Sequence, residues 1–469
     1  MHTPQYRLIS TLLDMPGIFA AFLNLPYPVL LDSPQSGNTP ARYSYLAADP
    51  FMVIRSKGQR VWVEKRGEIS VVEGSPFDVL RDLLGLYKTA PVPELPPFQG
   101  GVIGYLAYEL AHHLELLPSA AEDNLNLPEL NIAFYDWVVA RDDITDKTWA
   151  IATGLHDGGE AGARGRLDWI EDRVHKPPAT ASTSGPAVIA SRVASNFTKD
   201  AYVRAVRTVK DYIASGDVYQ VNISQRFEAN ITGDPWQLYR RLRHVNPSPF
   251  SAFLGFPEVS VLSASPEEFL KLEDGLLRTR PMKGTRPRSV SASENRKVAS
   301  ELLASEKDSA ENIMIVDLMR SDLGRVCVPG SIAVPELFAI EEYPTVYQMV
   351  STVTGRTRAG VGPVEVLEAC FPGGSVTGAP KIRAMEIINE IEPVQRSIYC
   401  GAIGYIGFEG SMLMSIPIRN ILVADERAYV QVGGGIVADS DPGAEYRESL
   451  DKAAGSLMAL DAEIRELDL

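Results

Sequence analysis

All six histidines (His2, His112, His113, His156, His175 and His244) lie within the first 244 residues, whereas the densest polar constellations lie beyond them. Acid–base work in the C-terminal half therefore falls to carboxylates and lysines, with or without a metal. Two acidic pairs have suitable spacing. Asp308 and Glu311 stand i, i+3 in EKDSAENIMIVDLMRSDLGR, so a helix presents both on one face, and the apolar IMIV that follows points to a buried helix at a site wall. Glu445 and Glu448 repeat that spacing in DPGAEYRESLDK, with Lys452 one turn beyond. Alone, this second set also reads as a solvated face with an i, i+4 pair worth about 0.3–0.5 kcal/mol. If both pairs face one cavity, their oxygens suit Mg2+ better than zinc, which prefers His and Cys.

Lys283 sits between Pro281-Met282 and Gly284-Thr285 in RPMKGTRPR. A lysine held there among apolar and small residues is a candidate desolvated amine, more nucleophilic at neutral pH. The alternative is a turn lysine in solvent. QVGGGIV (431–437) follows an expected strand, and its glycines would let backbone N–H groups approach an anion. It lacks the G-x-G-x-x-G spacing of a dinucleotide site. FPGGSVTGAPK (371–381) lacks the Gly-Lys-Ser/Thr of a phosphate loop, although a helix starting near Pro380 could favour a carboxylate.

These residues need elements to hold them. Helical spacing marks 200–215, where Tyr202, Val206, Val209 and Ile213 share a face, and helices are also expected at 294–318, 363–369, 380–391 and 444–464. Strands are expected at 51–63 and 130–151, with turns within, and at 259–263, 399–408, 411–423 and 428–432. GGVIGYLAY (100–108) reads as a packed strand that another backbone approaches closely. Strands and helices do not alternate strictly, so the class is α+β. KPPATASTSGP (176–186) has linker composition. The chain therefore divides into 1–175, a linker at 176–190, and 191–469.

Length and charge remove other functions. The 469 residues suffice for a large core, and 60 acidic against 45 basic side chains leave no excess of cations for a nucleic-acid groove or an anionic membrane. No apolar run of 18 residues and no signal-like N-terminus appear. Three cysteines without a CxxC pair lead us to expect a reduced, cytoplasmic setting.

SASPEEF, RPMKGTRPR, AENIMIVDLMRSDLGRV, FPGGSVTGAPKIRAMEIINEIEP, YCGAIGYIGF, IRNILV and GGGIVADSDPGAEYRESLDKA together resemble the chorismate-utilising enzymes, from about residue 195 to 460. LLDSP (30–34) and PFQGGVIGYLAYEL (97–110) are similar to the N-terminal domain of the amino-transferring branch. The resemblance implies two interleaved subdomains forming a β-sandwich core with helices outside. Water-using members carry a lysine base where this chain has Gln220, which implies ammonia as nucleophile. PMKGT, with lysine at 283 where the anthranilate-forming branch has alanine, resembles the branch that aminates C4.

Carried over by position, the resemblance implies Glu311 and Glu448 as Mg2+ ligands, with Asp308 and Glu445 holding metal-bound waters. It implies Tyr399, Arg419, Gly433 and Lys452, with the neighbouring Gly434, around the enolpyruvyl carboxylate, and Thr285 lining the ring. Glu267 would protonate the departing C4 hydroxyl and Lys283 would attack C2. Gln348 stands where many relatives have histidine, so it can hydrogen-bond but not titrate. No glutaminase motif is present, so ammonia is expected from a separate glutamine amidotransferase subunit or from free ammonium. LLDSP resembles a tryptophan-binding stretch of relatives, which makes tryptophan a candidate ligand of the N-terminal domain. The expected reaction is Mg2+-dependent amination of chorismate at C4 toward p-aminobenzoate. Its alternatives are C2 amination with loss of pyruvate and a non-catalytic chorismate- or tryptophan-binding protein.

Overall fold

The computed structural model describes residues 2–34, 42–156, 158–176, 189–190, 192–288, 292–343 and 346–462. Within them a 13-stranded and a 12-stranded sheet, both with antiparallel ladders, pack face to face. Strand residues alternate between two hydrophobic environments. Ala133 and Tyr135 enter the core between the sheets with Val29, Tyr45, Val138, Ala140 and Tyr405. Leu130, Ile132 and Phe134 of the same strand, Leu130–Tyr135, face outward against helices. Burial on both faces explains why such strands read as continuous apolar runs. Helices cover both outer faces, as the α+β sandwich expectation required.

Both sheets mix strands from before residue 176 and after residue 190. Val29–Asp32 pairs with Phe250–Gly255 in one sheet, and Gly101–Leu106 pairs with Ala402–Gly407 in the other. The boundary proposed from composition would therefore divide the chain rather than the sheets; most of 176–190 lies outside the described residues. At the second seam Gly104 faces Gly404. A Cβ on Gly104 would meet the Asn131 carbonyl at 2.1 Å, and one on Gly404 the Leu413 carbonyl at 1.9 Å. The close approach expected for GGVIGYLAY is this ladder.

Several expected elements come out differently. The strand expected at 399–408 begins only at Ala402, with Tyr399 in the turn before it, and the helix expected at 444–464 runs Pro442–Ala459. The helix expected at 294–318 is two, Ala292–Leu303 and Glu306–Gly324, because Ser305 caps the second by accepting the Asp308 N–H at 3.3 Å. The strand expected at 411–423 breaks into Met412–Ser415 and Asn420–Ala424. Pro417 has no N–H for a ladder there, and Arg419 adopts φ +55°. The strand expected at 428–432 runs on to Ile436 through the glycines, with Gly433, Gly434 and Gly435 paired to Ser224, Ile223 and Asn222.

A buried ion pair ties these parts together. Glu392 and Arg396 are 4% and 2% exposed and meet through two bonds at 2.7 and 2.9 Å. Arg396 also donates to the Val376 and Asn222 carbonyls at 2.9 and 2.7 Å, and Glu392 accepts the Ser224 N–H and Oγ–H at 2.8 and 2.9 Å. Removing one partner leaves the other charge buried, so Arg396→Met should cost about 3–5 kcal/mol in urea unfolding. Adding Glu392→Gln should recover part of that loss.

Candidate active site

The two acidic helices and the triple-glycine strand meet. Gly435 has no side chain where a Cβ would lie 1.9 Å from Gln220 Nε2 and 2.9 Å from Glu311 Oε1. At Gly434 a Cβ would stand 3.3 Å from Lys452 Nζ, 3.5 Å from Glu445 Oε2 and 3.8 Å from Glu448 Oε1. The glycines expected to follow a strand and let backbone N–H groups approach an anion instead continue that strand, and their missing side chains make room for these polar groups.

Lys283 is 12% exposed, which sets aside the reading of a solvent-facing turn lysine. It lies where the Met282–Pro287 strand bulges against Val346–Arg356. Gly284 adopts φ +84° there, with Leu302 and Asp308 where a Cβ would go. Lys283 Nζ meets Glu311 Oε1 at 2.9 Å and donates to the Ser375 carbonyl at 3.2 Å. Gln220 Nε2 donates to the same Glu311 oxygen at 2.7 Å. Burial raises the Glu311 pKa, but the Lys283 charge and hydrogen bond, the Lys452 charge and the Gln220 bond outweigh it and hold the carboxylate below its usual range.

Glu267 behaves oppositely. It is 4% exposed, and burial pushes its carboxyl up to about 7 against the Ser375 hydrogen bond and the Lys283 charge. Ser375 Oγ donates to Glu267 Oε1 at 2.5 Å. Ser375 therefore touches Glu267 with its hydroxyl and Lys283 with its carbonyl, making one polar chain from Glu267 to Gln220. Sequence reasoning missed Ser375, and likewise Glu392 and Arg396. Ser375 and Glu392 lie in FPGGSVTGAPKIRAMEIINEIEP and Arg396 lies between that stretch and YCGAIGYIGF, but only their contacts reveal their roles.

The remaining candidates divide into clustered and peripheral ones. Glu445 is buried, and its carboxyl is raised by burial and by the charge of Glu448. Glu448 is more exposed and pairs with Lys452 at 2.8 Å, as the solvated-face reading described. Burial raises the Glu448 pKa and the Glu311 charge pushes it further up, but the Lys452 charge and hydrogen bond with the Lys307 charge together hold the carboxylate below its usual range, so the two acidic helices sense each other. Lys452 also donates to the Gly433 carbonyl at 3.0 Å. Asp308 is engaged by Arg286 at 2.7 Å. Tyr399 is buried beside Arg396, whose guanidinium lies 6.0 Å from its ring. Thr285 is exposed and pairs in register with Gln348, whose buried Oε1 has no partner among the described residues.

Arg419 has no counter-charge among the described residues. Its guanidinium makes no hydrogen bond or ion pair among the described residues, and desolvation lowers its pKa. A desolvated guanidinium without a counter-ion is a docking point for an anion such as a carboxylate.

Among the described residues no group of three or more His, Cys, Asp or Glu is arranged to hold a metal ion. Glu311 and Glu448 nevertheless each bring a hard oxygen to the glycine strand, 2.9 and 3.8 Å from where Cβ atoms on Gly435 and Gly434 would lie. This fits Mg2+, which typically takes one or two carboxylates and completes its shell with water and substrate oxygens. No helix among the described residues is long and apolar enough to cross a membrane. The LLDSP stretch brings Asp32 and Ser33 to a separate cleft walled by Tyr43, Tyr45, Pro249 and Phe250.

The chain is 42% identical to aminodeoxychorismate synthase component 1 of Salmonella typhimurium, over 92% of this chain and 93% of that protein. It is 39% identical to anthranilate synthase component 1 of Acetivibrio thermocellus, over 95% and 92%. The crystal structure of anthranilate synthase component I from Streptococcus pneumoniae superposes with a TM-score of 0.80 at 32% identity, covering 90% of this chain and 93% of that one. Residues 29–458 match the chorismate binding enzyme family, and the chain belongs to that family.

Proposed function

We propose that this protein aminates chorismate at C4 to 4-amino-4-deoxychorismate, toward p-aminobenzoate. It would use Mg2+ and ammonia from a separate glutamine amidotransferase subunit. The observation that carries this reading is the position of Lys283, enclosed between Glu311 and the Ser375 carbonyl that leads to Glu267. The likeness to aminodeoxychorismate synthase component 1 supports it.

In this reading Arg419, with Tyr399, Gly433 and Lys452, receives the enolpyruvyl carboxylate. Thr285 and Gln348 line the ring. Glu311 and Glu448 would hold Mg2+, with Asp308 and Glu445 behind them, and the ion would neutralise and orient the ring carboxylate. Neutral Glu267 donates its proton to the C4 hydroxyl, which leaves as water. Lys283 first gives its ammonium proton to ammonia, the co-substrate, and the freed lone pair then forms a bond to C2 as the ring double bonds shift and the C4–O bond breaks. Ammonia then bonds to C4 while the C2–N bond breaks and its electron pair returns to Lys283. Gln220, a neutral amide, cannot act as a base toward water. Tryptophan is the proposed occupant of the Ser33–Phe250 cleft.

A second reading, C2 amination with loss of pyruvate, draws on the likeness to anthranilate synthases. Product identification separates the two. Chorismate, Mg2+ and excess ammonium salt should yield aminodeoxychorismate by chromatography and mass. Anthranilate with pyruvate would overturn the C4 assignment. Lys283→Ala should slow C4 amination by at least about 100-fold, the scale of losing a covalent or acid–base group; full retained activity would refute covalent lysine chemistry. Glu311→Gln should abolish Mg2+-dependent turnover.

The Glu267 value sets the pH dependence. Its neutral form is the donor, so kcat/KM for chorismate at constant free ammonia should fall as pH rises through about 7. Ser375 donates to the charged form and thereby lowers that pKa. Ser375→Ala should therefore move the descending limb to higher pH, and a limb that stayed put would count against Glu267 as the donor.

A further inference from the structure

We infer that Tyr108 and Glu109, from the N-terminal third of the chain, are positioning residues for the substrate-carboxylate site, acting through the turn that carries Tyr399. The inference rests on the reading of Tyr399 given above. Neither residue touches the polar chain from Glu267 to Gln220. Both are buried, at 4% and 6% exposure, in the short 3-10 turn Tyr108–His113 that follows the Gly101–Leu106 strand.

The contacts grip one short stretch from several directions. Glu109 Oε1 accepts the backbone N–H groups of Arg396 at 2.9 Å and Ser397 at 3.2 Å. The Tyr108 N–H donates to the Ser397 carbonyl at 2.7 Å. The Arg396 guanidinium, which bonds to Glu392 and to the Asn222 and Val376 carbonyls, also lies 4.8 Å from the centroid of the Tyr108 ring. Both polar groups of the Ser397 backbone are thus held by residues nearly 300 positions earlier.

The gripped stretch is one that needs holding. Ser397 adopts φ +54° and Cys400 φ +64°, a region that side-chain-bearing residues seldom occupy unless their surroundings impose it. Tyr399 lies between them, and its N–H returns to the Arg396 carbonyl at 3.2 Å. A carboxylate aimed at two consecutive N–H groups fixes such a turn as a backbone ladder cannot. Burial raises the Glu109 carboxyl to about 7, against the pull of the same N–H groups.

A double-mutant cycle on chorismate binding tests this, with thermal unfolding measured in parallel on the full-length protein. Glu109→Ala should raise KM for chorismate about tenfold, close to the 1.4 kcal/mol that tenfold represents, and change kcat little. Glu109→Gln, which keeps an oxygen acceptor, should restore most of the affinity. In a Tyr399→Phe background Glu109→Ala should add almost nothing to KM, because both act on one contact. KM effects that simply multiply would overturn the route through Tyr399, as would a lowered unfolding temperature with unchanged KM. Tyr108→Leu provides a second cycle with the same expectation should Glu109→Ala fail to fold. If Tyr399→Phe alone leaves KM unchanged, the assignment of Tyr399 is what fails, and the route through it falls for that separate reason.

Discussion

The Glu392–Arg396 pair is the contact on which the interior of this protein depends. Two opposite charges are almost fully removed from water, and the desolvation cost is offset only because nearly every donor and acceptor is used. The partners come from far apart in the chain: Asn222 and Ser224 on the strand bearing Gln220, Val376 beside Ser375, and Tyr108 from the N-terminal part. Gln431, on the glycine strand, donates to Ser224 Oγ at 2.9 Å and extends the network toward Gly433–Gly435. The elements that carry the catalytic candidates are thereby indexed to one buried point. Any relaxation of that point would be felt at Tyr399 and Ser375 together.

Around this anchor the site uses one physical variable, desolvation, with two outcomes. Glu267 is enclosed with a hydroxyl and a distant cation, so burial wins and its carboxyl rises to about 7. Glu311 is enclosed almost as well but touches an ammonium and an amide, so its charged form wins. Two glutamates from one chain are thereby prepared for opposite work, one to hold a proton and one to hold positive charge. Arg419 completes the set as a cation without a counter-ion among the described residues. An acidic protein can in this way present a local demand for a dianionic substrate.

Much of the architecture was legible beforehand, since continuous apolar runs and 3.6-residue spacing report local burial. The helices Lys199–Ser215, Pro363–Cys370 and Lys381–Ile391 lie within a residue of the expected bounds. The misjudged elements share a cause. The Ser305 cap, the Pro417 gap and the continuation through Gly433–Gly435 are each set by a hydrogen bond or a neighbouring strand that periodicity does not record. The same holds for Ser375: a serine in a glycine-rich stretch carries no local mark of a contact with Glu267, 108 positions away.

By itself, the sequence determined the chemical inventory of this protein: no imidazole beyond residue 244, spaced carboxylates, one lysine in a restricted backbone, and motifs long enough to mark the family. Only the tertiary structure decided which of these groups meet, that Lys283 is enclosed rather than solvated, and that Glu267 and Glu311 titrate in opposite directions. The reason is physical. Residue type and spacing are local properties of a chain, whereas desolvation and charge pairing depend on which distant segments exclude water around a group, and that is settled only when both sheets close.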